Sequence, residues 1–473
     1  MLRKVIVTSV LLAWHVSGWS DEVRSTLQEQ QRVAVTIYNS NLALVKDQRK
    51  VQLKGGDNLL AFRDVSAQIR PETALLRSLT SPGSLRVVEQ NFDFDLLTPQ
   101  ALLEKYVGKT VSVVRTHPTS GAESTESAQV LAANSGVVLQ IGNRIETGMP
   151  GRLVFGDVPA NLRDRPTLVM QLDNQGAAQQ EVELSYLTGG LGWRADYVAE
   201  LSGNDDRLDL SGWVTLTNTS GATYRNARLQ LVAGDVNQVR HDRPAPAPVM
   251  AKAMREMAVA AAPMREEGLL EYHLYTLDHP TTVAEHQTKQ VALLSAAGVP
   301  VRKELLLQGS EYYYQSSYGE LGQKMKLGVF VEFSNQEANH LGMPLPKGVV
   351  RVYKKDRSGN AQFVGEDSID HTPRNEKVRL KLGEAFDVTA DKKQSDFRVI
   401  DRKGIYESAY EIVLKNGKKE PVTVTVKEPI PGDWKMLSSS HKHEKAASNT
   451  AVWQISVPAE GRVMLSYRVQ NKF

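Results

Sequence analysis

On either side of a polar turn at Ser202 to Arg207, the chain between Trp193 and Thr217 carries apolar residues at every second position. Trp193, Ala195, Tyr197, Ala199 and Leu201 fall on one parity, and Arg194, Asp196, Val198 and Glu200 on the other. Side chains alternate between faces with period two in a strand and with period 3.6 in a helix. The stretch therefore predicts a strand with one buried face. "SGNDDR", Ser202 to Arg207, is turn chemistry. Leu208, Leu210, Gly212, Val214 and Leu216 then alternate with Asp209, Ser211, Trp213, Thr215 and Thr217. An antiparallel hairpin follows, and its apolar face needs a second layer to cover it.

Just upstream, "YLTGGLGWRADY" carries Gly189, Gly190 and Gly192 before Trp193, Arg194, Asp196 and Tyr197. A phosphate loop needs glycines that open a helix, so that backbone N–H groups point at the anion. No helical pattern follows Gly192. The glycines are expected to bend the incoming strand "EVELSYLT" into the hairpin, because glycine tolerates positive φ and bulge geometry. Arg194 and Asp196 share a face two residues apart and could pair, an exposed pair being worth only about 0–1 kcal/mol.

The same periodicity recurs along the chain, in "RKVQL", "KMKLGVFVEF", "EKVRLKLG", "PVTVTVKE", "AVWQISV" and "RVMLSYRV". "VVRVYKKDRSGNAQFVG" predicts a hairpin turning at Ser358-Gly359-Asn360. One helix stands out in "LTPQALLEKYVG": Thr98 as N-cap, Pro99 in the first turn, Gly108 as the stop, and Leu102, Leu103 and Tyr106 on one face. The fold class is mainly β: multi-domain antiparallel β-sandwiches with an immunoglobulin-like C-terminal domain and one short helix near 98–107. The expected division is a leader at 1–20, an N-terminal β domain at 21–97, and the helix with a small barrel-like insert at 98–165. A central sandwich at 166–385 and the immunoglobulin-like domain at 386–473 complete it. Within the central part, 243–268 is rich in Ala, Pro and Met and has no sheet pattern. It is expected to be a mobile excursion.

The leader reads as an export signal: Arg3 and Lys4, the apolar run "VIVTSVLLAW", then small residues near Ser20. That run is too short to span a bilayer permanently, so a periplasmic or extracellular protein without a transmembrane anchor is expected. The chain has no cysteine, hence no disulfide and no thiolate chemistry. Removing Arg3 and Lys4 from the 57 Lys and Arg leaves 55 against 54 Asp and Glu. So balanced a chain does not favour nucleic acid as a partner.

Several phrases together resemble a known family: "YLTGGLGWRADYVAEL", "LTNTSGATYRNARLQLVAGDVN", "YTLDHPTTV", "MPLPKGVVRVYKKDRSGNAQFVGED" and "VPAEGRVMLSYRV". The chain is similar, over about Arg152 to Val469, to the bacterial secreted proteins grouped as domain of unknown function 4139, which include mucoidy-inhibitor-like proteins. "NLALVKDQRKVQL" also looks like the N-terminal β domain of these proteins. The resemblance implies an exported, β-rich protein with an envelope or exopolysaccharide connection. It transfers no catalytic residues.

Candidate sites are few. Asp93 and Asp95 in "FDFD" share a strand face, the spacing of which resembles a glycosidase pair and equally a solvated strand. His273, His279 and His286 lack zinc-site spacing, and His441 and His443 read as a surface loop. Met250, Met254, Met257 and Met264 are read as linker composition and not as a soft-metal site. No metal, cofactor or catalytic set is assigned, and no hydrolase or nucleotide motif is present. The binding candidate is "EYYYQSSYGE". Read as a strand, it puts Tyr312 and Tyr314 on one face and Tyr313 on the other, with Tyr318 in the following turn. The expected function is non-catalytic binding of an envelope protein or polysaccharide; the alternative is a secreted hydrolase with a site assembled from distant residues.

Overall fold

The computed structural model describes residues 22–39, 41–134, 136–159, 162–238, 264–401 and 404–473. The leader at 1–20 and residues 243–263 of the Ala/Pro/Met segment, with Met250, Met254 and Met257, lie outside the described residues. The rest of that segment is ordered: Met264 is buried, and Arg265–Leu269 is a strand paired with Tyr272–Thr276. Arg265–Leu269 is therefore no part of a mobile excursion, because it has a hairpin partner directly after it.

The predicted hairpin is present. Leu191–Leu201 pairs antiparallel with Arg207–Asn218, with Trp193 opposite Leu216 and Leu201 opposite Leu208. Trp193, Ala195, Tyr197, Ala199 and Leu201 are all buried. The hairpin lies inside a five-stranded sheet, flanked by Gln287–Pro300 on one side and by Gly348–Lys355 and Ala361–Ile369 on the other. The incoming strand Gln179–Thr188 belongs to a different sheet, between Leu42–Gln52 and Leu75–Ser78. The chain thus changes sheet at Gly189 and Gly190. Gly190 has φ +79°; its N–H donates to Asn41 Oδ1 (2.8 Å) and its carbonyl accepts from the Thr219 N–H (2.6 Å). Both backbone groups are consumed by the bend.

One continuous core joins this sheet, the eight-stranded sheet and a four-stranded sheet. It runs in sequence from Val33 through Tyr197 to Leu380. The strands Gln30–Tyr38 and Leu42–Gln52 lie between Tyr224–Ala233 and Gln179–Thr188. Most neighbouring strands pair antiparallel. Parallel pairs join distant segments, as in Gln30–Tyr38 with Tyr224–Ala233 and Leu191–Leu201 with Gly348–Lys355.

The helix Pro99–Lys105 forms as its caps dictate, with Thr98 accepting from the Ala101 N–H. It packs with a five-stranded antiparallel sheet over 110–154 around a separate core that includes Leu103, Tyr106, Val113 and Leu139. The third core belongs to a nine-stranded C-terminal sheet. This sheet takes in Arg302–Gln308 and Glu320–Ser334, which precede residue 386. Lys377–Asp401 is a single 25-residue strand whose Val378 and Leu380 lie in the large core and whose Val388 and Ala390 lie in the C-terminal one. The expected division at 385/386 falls inside this strand. The path starts with Asp433–Ser439 and ends with His443–Ala447, which are successive in the chain. The sheet therefore curls round on itself and encloses its core.

Candidate functional site

The interior of the C-terminal sheet holds two opposite charges. Lys392 Nζ lies 2.6 and 2.7 Å from Oε1 and Oε2 of Glu428, and the two side chains are 1% and 0% exposed. Strand alternation puts them there: Val388, Ala390, Lys392 and Gln394 share the inward parity of Lys377–Asp401. Burial pushes the Lys392 ammonium down, against the upward pull of the Glu428 charge and hydrogen bond. In sequence, "TADKKQS" reads as solvated. The phase carried in from Val388 was the available signal.

The tyrosine segment closes over this pair, in a conformation other than the expected strand. Glu311–Tyr314 is a turn of 3₁₀ helix, and the tyrosines fan out instead of alternating. At the end of Arg302–Gln308 the Gly309 N–H still donates to the Lys427 carbonyl (2.8 Å), and the tyrosine turn follows. Tyr313 and Tyr314 are buried, Tyr318 is half-buried, and Tyr312 is 51% exposed. Tyr314 Oη donates to Glu428 Oε2 (3.0 Å) and lies 2.9 Å from Tyr467 Oη. The Tyr313 ring sits 4.2 Å from Lys392 Nζ, and its carbonyl accepts from Tyr410 Oη (2.6 Å). Gln394 donates to the carbonyls of Tyr313 and Ser316. Burial raises the phenols of Tyr314 and Tyr467 well above their usual range, and that of Tyr410 to about 12. Of the four binding candidates, only Tyr312 offers a largely open ring, edge-on to Tyr313 (4.5 Å) and Tyr318 (5.6 Å).

On the other side of the Tyr410 and Tyr467 strands lies an open groove of about 320 Å³, at the lower end for small-molecule sites. Its polar lining includes Ser395, Glu411, Ser438, Ser440, Ser466 and Arg468, with Ser439, whose hydroxyl donates to the His441 carbonyl (2.6 Å) and accepts from Trp453 (3.0 Å). Both charges are already engaged: Glu411 with Lys393 (2.6 Å), and Arg468 with Glu407 (2.6 Å) and Asp396 (2.9 Å). Ser440 Oγ lies 2.9 Å from His441 Nδ1 and accepts from the Ser466 N–H (2.9 Å). Serine clustering from three separate strands and a turn was not readable in sequence, since each serine has the parity of an ordinary solvated position.

The remaining predicted residues sit elsewhere. Arg194 donates to Asp196 (3.2 Å), as its spacing implies, but Asp196 is buried. It also accepts from Thr215 (2.6 Å) and from Arg351 on the parallel neighbour (3.1 Å). Asp93 and Asp95 are held apart in role, one by Arg163 (2.9 Å) and the other by Lys105 (2.7 Å). His273 meets Glu266 (2.8 Å). His443 is not a free loop residue: its ring packs 6.3 and 5.9 Å from Trp434 and Trp453, where the sheet ends approach. Among the described residues no three His, Cys, Asp or Glu converge as metal ligands, and no helix is long and apolar enough to cross a membrane.

These features define an all-β protein of several packed sheets, with a sealed ion pair beneath one face of its C-terminal sheet and an open polar groove on the other. The family model described as Domain of unknown function (DUF4139) matches residues 182–473, and the chain belongs to that family. The match begins later than the resemblance at Arg152 and reaches the last residue given. No curated protein matches the chain.

Proposed function

We propose that this is an exported, non-catalytic protein that binds an envelope component, a polysaccharide in preference to a protein, through the groove of its C-terminal sheet. The groove carries this reading. The hydroxyls of Ser395, Ser438 and Ser466 take no hydrogen bond among the described residues, while Glu411 and Arg468 are neutralised by neighbours. Recognition there rests on neutral donors and acceptors, which suits a ligand rich in hydroxyl groups. Export is supported by the basic-then-apolar leader, and the mucoidy-inhibitor resemblance fits the same setting.

Titration of the purified protein with envelope polysaccharide and, separately, with envelope protein fractions tests the reading by calorimetry. Saturable polysaccharide binding is expected, weakened about tenfold by the double change Ser438→Ala, Ser466→Ala, at roughly 0.5–1.5 kcal/mol per hydrogen bond. The hydrolase reading is favoured by one observation, the Ser440–His441 contact at the groove. Turnover of an ester, glycoside or peptide library that disappears in Ser440→Ala would replace the binding reading.

A further inference from the structure

We propose that Lys392 and Glu428 become covalently joined, forming an amide between Lys392 Nζ and Glu428 Cδ that crosslinks the C-terminal sheet. This inference is independent of what the groove binds.

The two residues lie on strands that are not neighbours. Lys377–Asp401 and Val422–Pro429 are separated in the sheet by Glu320–Ser334 and Arg302–Gln308, and they meet only across the core. Nζ touches both carboxylate oxygens, so the amine sits directly beside the carboxyl group. A turn about Cγ–Cδ presents the carbonyl face to it. The pair is closed off from solvent. Keeping two ions in such a place is costly in desolvation, and an amide removes both charges at once. Fixed neighbours also react as if at very high concentration, with effective molarities on the order of 10⁵–10⁸ M for well-aligned groups.

The step balances without a co-reactant. The ammonium gives one proton to the carboxylate, leaving an amine and a carboxylic acid. The amine lone pair attacks Cδ, the C–OH bond breaks, and the hydroxyl departs with an amine proton as water. Tyr314 Oη, donating to Oε2 and backed by Tyr467 Oη, stabilises the charge that develops on the remaining oxygen. Burial favours the neutral amine that must attack. Gly309 makes room for the acid: a Cβ there would run into Oε2 and Cδ of Glu428. The chain contains no cysteine, so no disulfide can staple this sheet.

Intact mass of the denatured, purified protein reads the outcome. One amide lowers the mass by about 18 Da, a single water, relative to the same chain unlinked. Tryptic digestion is expected to yield one branched peptide containing both Lys392 and Glu428. Lys392→Arg keeps the cation but removes the amine, and is expected to restore the full mass and lower the melting temperature. The wild-type measurement is decisive even if that variant folds poorly. Full sequence mass in the folded wild type, with the two residues recovered in separate peptides, overturns the proposal.

Discussion

At Gly190 a single missing side chain decides whether the chain can change sheets. A Cβ there would stand 2.5 Å from Ser220 Cα and 2.7 Å from Ser220 N, and φ is +79°. Neither obstacle is a flexible side chain. Gly190→Ala is expected to cost about 1–3 kcal/mol, read as a lower urea midpoint. Gly192, two residues on, meets only Thr217 Oγ1 at 3.5 Å. Gly192→Ala is expected within about 0.5 kcal/mol of wild type. Asp196 shows the same dependence on neighbours. Burial raises its carboxyl, but the hydrogen bonds from Thr215 and Arg351 and the charges of Arg194 and Arg351 outweigh that and hold it below the usual range. Its folded form thus binds a proton less readily than the unfolded chain. The stability it contributes is full above the unfolded value, about 4, and is lost as pH falls through the lower folded value. Denaturant titrations from neutral to acid pH should show this slope reduced in Asp196→Asn. The glycine cluster and the Arg194–Asp196 pair were readable from spacing. The third partner, Arg351, was not, because it arrives 155 residues later on a parallel strand.

The element that most departs from its sequence pattern is the tyrosine turn. "EYYY" has strand propensity, yet it folds as 3₁₀ helix because Tyr314 and Tyr313 are drawn toward a buried charge pair. Tertiary contacts override a local preference of that size. Tyr314→Phe leaves the ring and removes the hydroxyl on Glu428, so a loss of about 1–3 kcal/mol is expected. Tyr312→Ala removes an exposed ring and is expected to cost under about 1 kcal/mol. Comparing the two by thermal and urea unfolding separates the anchor from the open surface. If Tyr312 adds an aromatic contact for the ligand, its loss weakens binding while stability holds. The helix at Pro99–Lys105 is the contrary case. Its cap, first-turn proline and stop are all local, and the sequence predicted it within two residues at either end.

For the molecule as a whole, strands from the beginning of the chain complete sheets made by its middle. Leu42–Gln52 pairs along the whole of Gln179–Thr188, and Gln30–Tyr38 pairs with Tyr224–Ala233. The family-matched region, 182–473, starts inside Gln179–Thr188. Expressed alone, it is expected to lack cooperative unfolding of the large core, visible as a broadened or missing thermal transition. The insert is the opposite case. It has its own core, and its ends are adjacent: the Leu97 N–H donates to the Arg163 carbonyl (2.8 Å) and the Arg163 N–H to the Asp95 carbonyl (3.0 Å). Replacing 98–162 by a short Gly/Ser linker is expected to leave the midpoint of the main transition within a few degrees.

The residue order alone determined the strand class, the hairpin at Leu191–Asn218, the helix and its caps, and the need for glycine where the chain bends. Each of these depends on side chains within a few positions of one another, so periodicity and turn chemistry encode them directly. Only the tertiary structure decided which strands become parallel neighbours, that Lys392 is sealed against Glu428, that the tyrosines form a lid, and that scattered serines share a groove. Those outcomes come from contacts between segments tens to hundreds of residues apart. Period two tells a side chain which face it occupies and says nothing of what that face will meet.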